Sequence, residues 1–204
     1  MGKIKLFVAL ETEIPKELIP AGVEVFYTGV GKINAAIKAT EILSPAYQMY
    51  NTNTIVLNYG SAGSKSVPKH SLVECKAFVQ EDMDGRPFAP IKTTPFDSVQ
   101  YPQIGEEPII FGNGGYVCHT QDRFEQNPKN GVYDMEAYAL AKVCKIYGYD
   151  FKAYKFISDD GNSDDWEQNH QFRGGKISKN IGRIFGKLSN YSYISFIIIK
   201  TLKT

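Results

Sequence analysis

Short apolar runs alternate with helical repeats along most of this 204-residue chain, and that alternation restricts the fold more than any other feature. The segments 3–10 (KIKLFVAL) and 23–30 (VEVFYTGV) are rich in β-branched and aromatic residues and predict strands. Residues 32–47 carry Ile33, Ala36, Ile37, Thr40 and Ile42 or Leu43 at helical spacing, which predicts a helix ending before Pro45. The segment 54–64 (TIVLNYGSAGS) predicts a buried strand running into a glycine loop, and 71–84 and 108–122 predict longer strands. A helix from about 134, a strand over 151–162 ending in an acidic turn, and a final helix over 166–191 broken at Gly174-Gly175 complete the pattern. Strands interleaved with helices predict α/β layers on a largely parallel sheet. No linker or internal repeat divides residues 1–204, so a single domain is expected.

Ligands in such folds bind beyond the carboxyl ends of the strands, so functional residues should follow the apolar runs. Polar clusters stand there: Glu11 and Glu13, the NYGSAG stretch, Asp82 and Asp84, Thr120 and Asp122, and Ser158-Asp159-Asp160. Strand ends are also surface loops, where polar residues are common for solvation alone. The turn GVGKINAA (29–36) lacks both phosphate-loop spacings and reads as a tight strand-to-helix connection. Phe124 reads either as a stacking platform or as one core aromatic among many.

The segment YDMEAYALAKVC (133–144) concentrates the ambiguity. Ala137, Leu140, Ala141 and Cys144 recur at i, i+3, i+4 and i+7, one buried helical face. Before them stand two carboxylates. Asp134 reads as an N-cap accepting from unpaired backbone N–H groups, and Glu136 as a first-turn residue favoured by the helix dipole.

Charge and cysteine content narrow the classes. Lys and Arg total 23 against 22 Asp and Glu, a formal net charge of +1. That balance carries no electrostatic footprint for nucleic acid or an acidic membrane surface. Cys75, Cys118 and Cys144 are far apart and set in apolar segments, without CxxC pairs or Cys/His clusters. Buried thiols in a reducing compartment are expected, with neither a disulfide framework nor a zinc site. His70, His119 and His170 have no metal-ligand spacing, and no metal or cofactor is called for. The start has too short an apolar run for a secretory signal, residue 6 is Leu where myristoylation needs Ser or Thr, and YISFIIIK (193–200) is too short to span a bilayer. A cytoplasmic protein is expected.

Taken in order, ALETEI (9–14), GVGKINAA (29–36), NYGSAG (58–63), QEDMD (80–84), TQDRF (120–124), DMEAYALAKVC (134–144) and ISDD (157–160) resemble the nucleoside phosphorylase/nucleosidase superfamily, most of all its 5′-methylthioadenosine/S-adenosylhomocysteine nucleosidase branch. The resemblance implies a mixed, mostly parallel, twisted central sheet flanked by helices, assembled as a homo-oligomer with a dimer favoured. It implies cleavage of a purine nucleoside at its N-glycosidic bond. In that scheme Met135 lies along the ribose and the Glu136 carboxylate accepts from the sugar hydroxyls. Asp159 donates a proton to the purine, Ser158 helps hold the base, Phe124 stacks on it, and the backbone of Glu125 meets its edge. Glu13 positions and deprotonates the attacking water, and Ser61 and Gly63 fall where the superfamily cradles phosphate or that water.

Departures from the family pattern are Tyr138 and Gln121 where small residues are usual, and Gly161-Asn162 after the acid. The 5′ side of the substrate is therefore the least legible. Water and phosphate are rival nucleophiles, and a non-catalytic nucleoside-binding protein is a third reading. Retention of Glu13, Glu136 and Asp159 together favours catalysis. The absence of arginine before Arg86, with acidic Glu11 and Glu13 in the first loop, favours water, because phosphate is best held by guanidinium groups.

Overall fold

In order, the chain forms β1 (Ile4–Val8), a 3-10 turn (Lys16–Leu18), β2 (Val23–Tyr27), α1 (Lys32–Leu43), β3 (Ile55–Gly63), β4 (Leu72–Gln80), α2 (Asp97–Gln100), β5 (Ile109–Ile110), β6 (Tyr116–Thr120), β7 (Val132–Asp134), α3 (Ala137–Tyr147), β8 (Asp150–Asp159) and α4 (Ser163–Asn169). The computed structural model describes residues 3–44, 54–105, 107–170 and Ile184. The final helix expected over 166–191 is met by α4 up to Asn169, and the rest of it, like the 193–200 segment, lies outside the described residues.

The sheet is mixed. β1 pairs in parallel with β2 and β3, β3 with β8, β4 with β6, and β6 with β7. β4 runs antiparallel to β8 and β5, and β7 meets β3 antiparallel at Gly63. The expected parallel arrangement thus holds for most pairings and fails where β4 meets β8 and β5 and where β7 meets β3. At β4 the reason is the connection. Parallel neighbours need a crossover of about a dozen residues or more, usually a helix. Only residues 64–71 join β3 to β4, so the chain reverses and β8 fills the place between them. Strands β3, β7, β6, β4 and β8 close into a ring of pairings.

Side chains alternate across the strands, and both faces are buried. Phe7, Val56, Phe78, Phe151 and Ala153 point to the face covered by α1 and α3. Ile4, Leu6, Val8, Leu57, Tyr59, Tyr154 and Phe156 point to the other, against Ile14 and Ile184. Each fully buried phenylalanine here contributes about 1.5–3 kcal/mol. The predicted face of α3 is buried in full, at Ala137, Leu140, Ala141 and Cys144. On α1 the expected stripe is displaced. Ala35, Ala39 and Leu43 are the buried positions, while Ile33 and Ile37 are 72% and 62% exposed. The two alanines allow α1 to pack closely on α3, and the isoleucines face outward.

Two other boundaries moved. The GSAG stretch is strand, because β8 pairs along β3 as far as Gly63↔Asp159, with an irregularity after Ala62. The predicted strand 108–122 is divided into β5 and β6 by glycines at positive φ, Gly112, Gly114 and Gly115. All three cysteines are free and buried.

Candidate active site

The site occupies a gap along one edge of β3. β1 pairs with that strand only as far as Asn58, and β7 meets it only at Gly63. Between them the Ser61 backbone N–H has no ladder partner and donates instead to a side chain. The loop after β1 fills the gap with Glu13, which is 4% exposed. Its Oε1 accepts from Ser61 N at 2.7 Å and Ser61 Oγ at 2.8 Å, and its Oε2 accepts from Leu10 N at 3.2 Å. Above this corner opens a cavity of about 180 Å³.

Glu13, Ser61, Phe124, Glu125, Met135, Glu136 and Asp159 all line that cavity, although they come from five separate parts of the chain. Ser158 and Gly63 stand behind it and touch Asp159. Ser158 Oγ donates to Asp159 Oδ2 at 2.8 Å, and Gly161 N donates to Oδ1 at 2.9 Å. Burial raises the Asp159 carboxyl above its ordinary range, against the pull of those two hydrogen bonds, and the nearby Asp160 and Asp165 raise it further. The result is a carboxyl that keeps its proton more readily than a surface aspartate.

Gly63 has a packing reason of its own. A Cβ there would lie 2.8 Å from Asp159 Oδ1, so any side chain must displace the carboxylate that Gly161 holds. Gly63→Ala is expected to lower kcat about tenfold with the fold retained, because catalytic groups tolerate little displacement. Steady-state kinetics with a melting curve would check this, and unchanged turnover would mean that Asp159 does not need its present position.

Around Met135-Glu136 the local structure differs from the sequence reading. α3 begins at Ala137, so Glu136 precedes the first turn at the cap position, with φ −131° and ψ −35° and no side-chain cap. Asp134, at the end of β7, does the capping. Its Oδ2 accepts from Ala137 N at 2.8 Å and Glu136 N at 3.3 Å, and Thr120 Oγ1 donates to Oδ1 at 2.5 Å. Freed from capping, the Glu136 side chain turns into the cavity and accepts from Gly31 N at 2.9 Å. Gly31 adopts φ +96°, open to glycine at little cost, and so brings its N–H within reach. The Lys32 ammonium bonds Asp82, and Lys32 N donates to Asp122 Oδ1 at 2.8 Å, which ties this turn to the ends of β4 and β6.

One buried cation serves this cluster. Lys155 is fully buried and its ammonium lies 2.7 Å from Asp134 Oδ2. Burial opposes its charge, but Asp134, Cys118 and Glu136 outweigh that and hold the ammonium above its ordinary range. Burial likewise opposes the Asp134 charge, and Lys155 with the hydrogen bonds keeps that carboxylate below its usual range. Glu136 is the loser in this competition. Burial and the neighbouring Asp134 push its carboxyl up to about 8, only partly offset by Lys155 and Gly31 N.

Gln121 is fully buried, and its amide braces the segment after β6 by donating to Arg123 O at 3.3 Å and Glu125 Oε2 at 3.0 Å. Tyr138 points away from the cavity, and its hydroxyl donates to Glu107. Among the described residues no group of three or more His, Cys, Asp and Glu could hold a metal ion.

Several residues of the site escaped the sequence reading: Gly31, Lys155, Trp166, and the lining residues Val30, Arg123 and Tyr133. A lysine inside the apolar run YKFI was a usable signal for Lys155, since a cation at such a position needs a buried partner. Trp166 gave none, because its contact depends on where α4 folds.

A ring of strands with acidic groups gathered at one strand edge is the architecture of a known class. The chain belongs to the phosphorylase superfamily, whose family model matches residues 21–189. Within that class it is similar to the 5′-methylthioadenosine/S-adenosylhomocysteine nucleosidase of Shewanella halifaxensis, 29% identical over 170 residues covering 71% of this chain and 72% of that protein. The fold is shared with the Helicobacter pylori nucleosidase of the same name (TM-score 0.71, 19% identity, 91% of this chain and 98% of the other). It is shared too with futalosine hydrolase of the same organism (TM-score 0.66, 20% identity, 87% and 94%).

Proposed function

We propose that this protein hydrolyses the N-glycosidic bond of an adenine-type purine nucleoside, of the methylthioadenosine or adenosylhomocysteine kind, to free base and pentose. The observation that carries water over phosphate is the pairing of Glu13 with Ser61. The backbone N–H and hydroxyl of Ser61 are the donors an incoming anion would use, and a resident carboxylate already occupies them at 2.7 and 2.8 Å. A second anion there meets repulsion, whereas a water molecule finds a base.

The remaining groups fit the same chemistry. Asp159, whose carboxyl burial raises above its ordinary range, donates a proton to the purine so that the base departs neutral. Glu136 accepts from the ribose hydroxyls and, once ionised, offsets the positive charge that grows on the sugar as the bond breaks. Phe124, 37% exposed at the rim, offers a face for the base, with Glu125 beside it.

The family match over 21–189 supports a single catalytic domain. The exposed Ile33 and Ile37 on α1, next to the rim residue Val30, support pairing of two copies over this face. Free, buried cysteines are in keeping with a cytoplasmic setting, and no helix among the described residues is long and apolar enough to cross a membrane.

The test is the product. Methylthioadenosine incubated with the protein is expected to release adenine and free methylthioribose at a rate indifferent to added phosphate. A strictly phosphate-dependent reaction yielding the sugar 1-phosphate would replace this reading with phosphorolysis and remove the role given to Glu13.

A further inference from the structure

Trp166, the only tryptophan in the chain, lines the cavity from α4 and donates its indole N–H to Ser61 Oγ at 3.1 Å. An indole nitrogen can only donate, and a serine hydroxyl has a single proton. With Trp166 occupying a lone pair of Ser61 Oγ, that proton is directed to Glu13 Oε1 at 2.8 Å, its acceptor among the described residues. Ser61 N donates to the same oxygen at 2.7 Å, so Oε1 carries two donors. Oε2 carries one among the described residues, Leu10 N at 3.2 Å, which leaves a lone pair for water.

The indole is itself held in place. Its ring stacks on His170 with centroids 4.0 Å apart and planes 9° from parallel. His170 Nδ1 lies 2.8 Å from the Trp166 carbonyl, which can only accept, so that nitrogen carries the proton. Asn162 caps α4 by accepting from Asp164 N at 2.9 Å, and Asn169 Nδ2 ties the other end to Ser158 O at 3.1 Å. α4 is thereby fastened to the strand that carries Asp159.

We propose that Trp166 is a positioning residue for the reaction, acting through Ser61 to set the polarity of the hydrogen bonds on Glu13 and to leave Oε2 as the oxygen that takes the proton of water. This rests on the hydrolytic reading above. In the step, a water O–H proton passes to Glu13 Oε2 and the water oxygen bonds the anomeric carbon. The glycosidic electron pair leaves with the purine, which receives the Asp159 proton. Without the indole N–H, the Ser61 hydroxyl is free to turn away from Glu13, and both carboxylate oxygens compete for the water.

The experiment is a double-mutant cycle on adenine release from methylthioadenosine, with kcat and KM resolved for the unmodified protein, Trp166→Phe, Ser61→Ala and the double variant. Phenylalanine keeps a ring on His170 and removes the N–H donor along with part of the indole's bulk, and the double-mutant cycle separates the two effects. Trp166→Phe is expected to lose about tenfold in kcat with KM within about twofold, and the double variant to match Ser61→Ala alone. Unchanged kcat in Trp166→Phe, or a double variant that falls by the product of the two single losses, overturns the proposal. The contact is also read without altering Trp166. The single indole N–H gives one ¹⁵N-correlated resonance, which is expected to shift and to exchange faster with solvent in Ser61→Ala, and an unmoved resonance overturns the proposal whether or not Trp166→Phe folds. An unmodified protein that releases no base from any purine nucleoside overturns the hydrolytic reading, and this inference with it.

Discussion

Asp159→Asn is expected to cut turnover on methylthioadenosine by on the order of a hundredfold or more, the scale of losing a positioned general acid. The substitution keeps shape and hydrogen bonding. Asparagine can turn its Oδ1 to Gly161 N and donate its amide to Ser158 Oγ, whose own proton then goes to Ala62 O, 3.3 Å away. What it cannot do is transfer a proton to the base. The loss should therefore fall on kcat, with KM and melting temperature little changed. A pH signature accompanies it. The Asp159 carboxyl is raised by burial, so the acid form is present at low pH and is lost as pH rises through the raised value. The unmodified protein should decline on the alkaline side, and the residual activity of Asp159→Asn should lack that limb. Near-normal turnover would remove the general-acid role and make Asp160 the next candidate.

Glu136→Gln is expected to cost about a hundredfold in turnover and, unusually for a site mutation, to stabilise the protein at alkaline pH. The first effect follows from losing a carboxyl that can ionise beside the sugar as the sugar becomes cationic, which glutamine cannot do. The second follows from linkage. The folded protein holds the Glu136 proton up to about 8, whereas the ordinary glutamate value is 4.5. Across that interval the unfolded chain binds fewer protons than the folded one, so this group's contribution to stability falls as pH rises and is lowest above about 8. Glutamine can still accept from Gly31 N and carries no such penalty. The variant's melting temperature should match the parent's near pH 5 and exceed it near pH 8.5. If melting temperature instead dropped sharply at both pH values while activity persisted, Glu136 would be a structural helix-terminus residue and nothing more.

Much of the site was legible because its chemistry is local. Ser158-Asp159 and Met135-Glu136 each stand at the end of an apolar strand segment, where an α/β fold puts ligand-binding groups, and Glu13 sits in the loop after the first strand. Glu136 was legible in type but not in position. Asp134 caps α3 as its position suggested, held there by Lys155 and Thr120, but the helix starts only at Ala137, so Glu136 stands before the first turn and turns to Gly31, a partner distant in sequence. α1 repeats the point. Two stripes, Ala35-Ala39-Leu43 and Ile33-Ile37, run along the same helix, and hydrophobicity favoured the one that the fold leaves outside.

The sequence by itself determined the α/β class and the order of the main strands and helices, because periodicity is a short-range property of the chain, and the resemblance of its motifs singled out Glu13, Glu136 and Asp159, the three carboxylates proposed for the chemistry. Only the tertiary structure decided the direction of β4, the reach of β3 through GSAG, the joining of Glu13 to Ser61, the burial of Lys155 among acids and the seat of Trp166. Each of these is a contact between residues far apart in the chain, set by which strand β8 lies between and by what the gap beside β3 leaves unpaired. Such pairings are settled by the packing of the whole molecule, where a buried charge or donor left without a partner is costly, and no local pattern encodes which partner that will be.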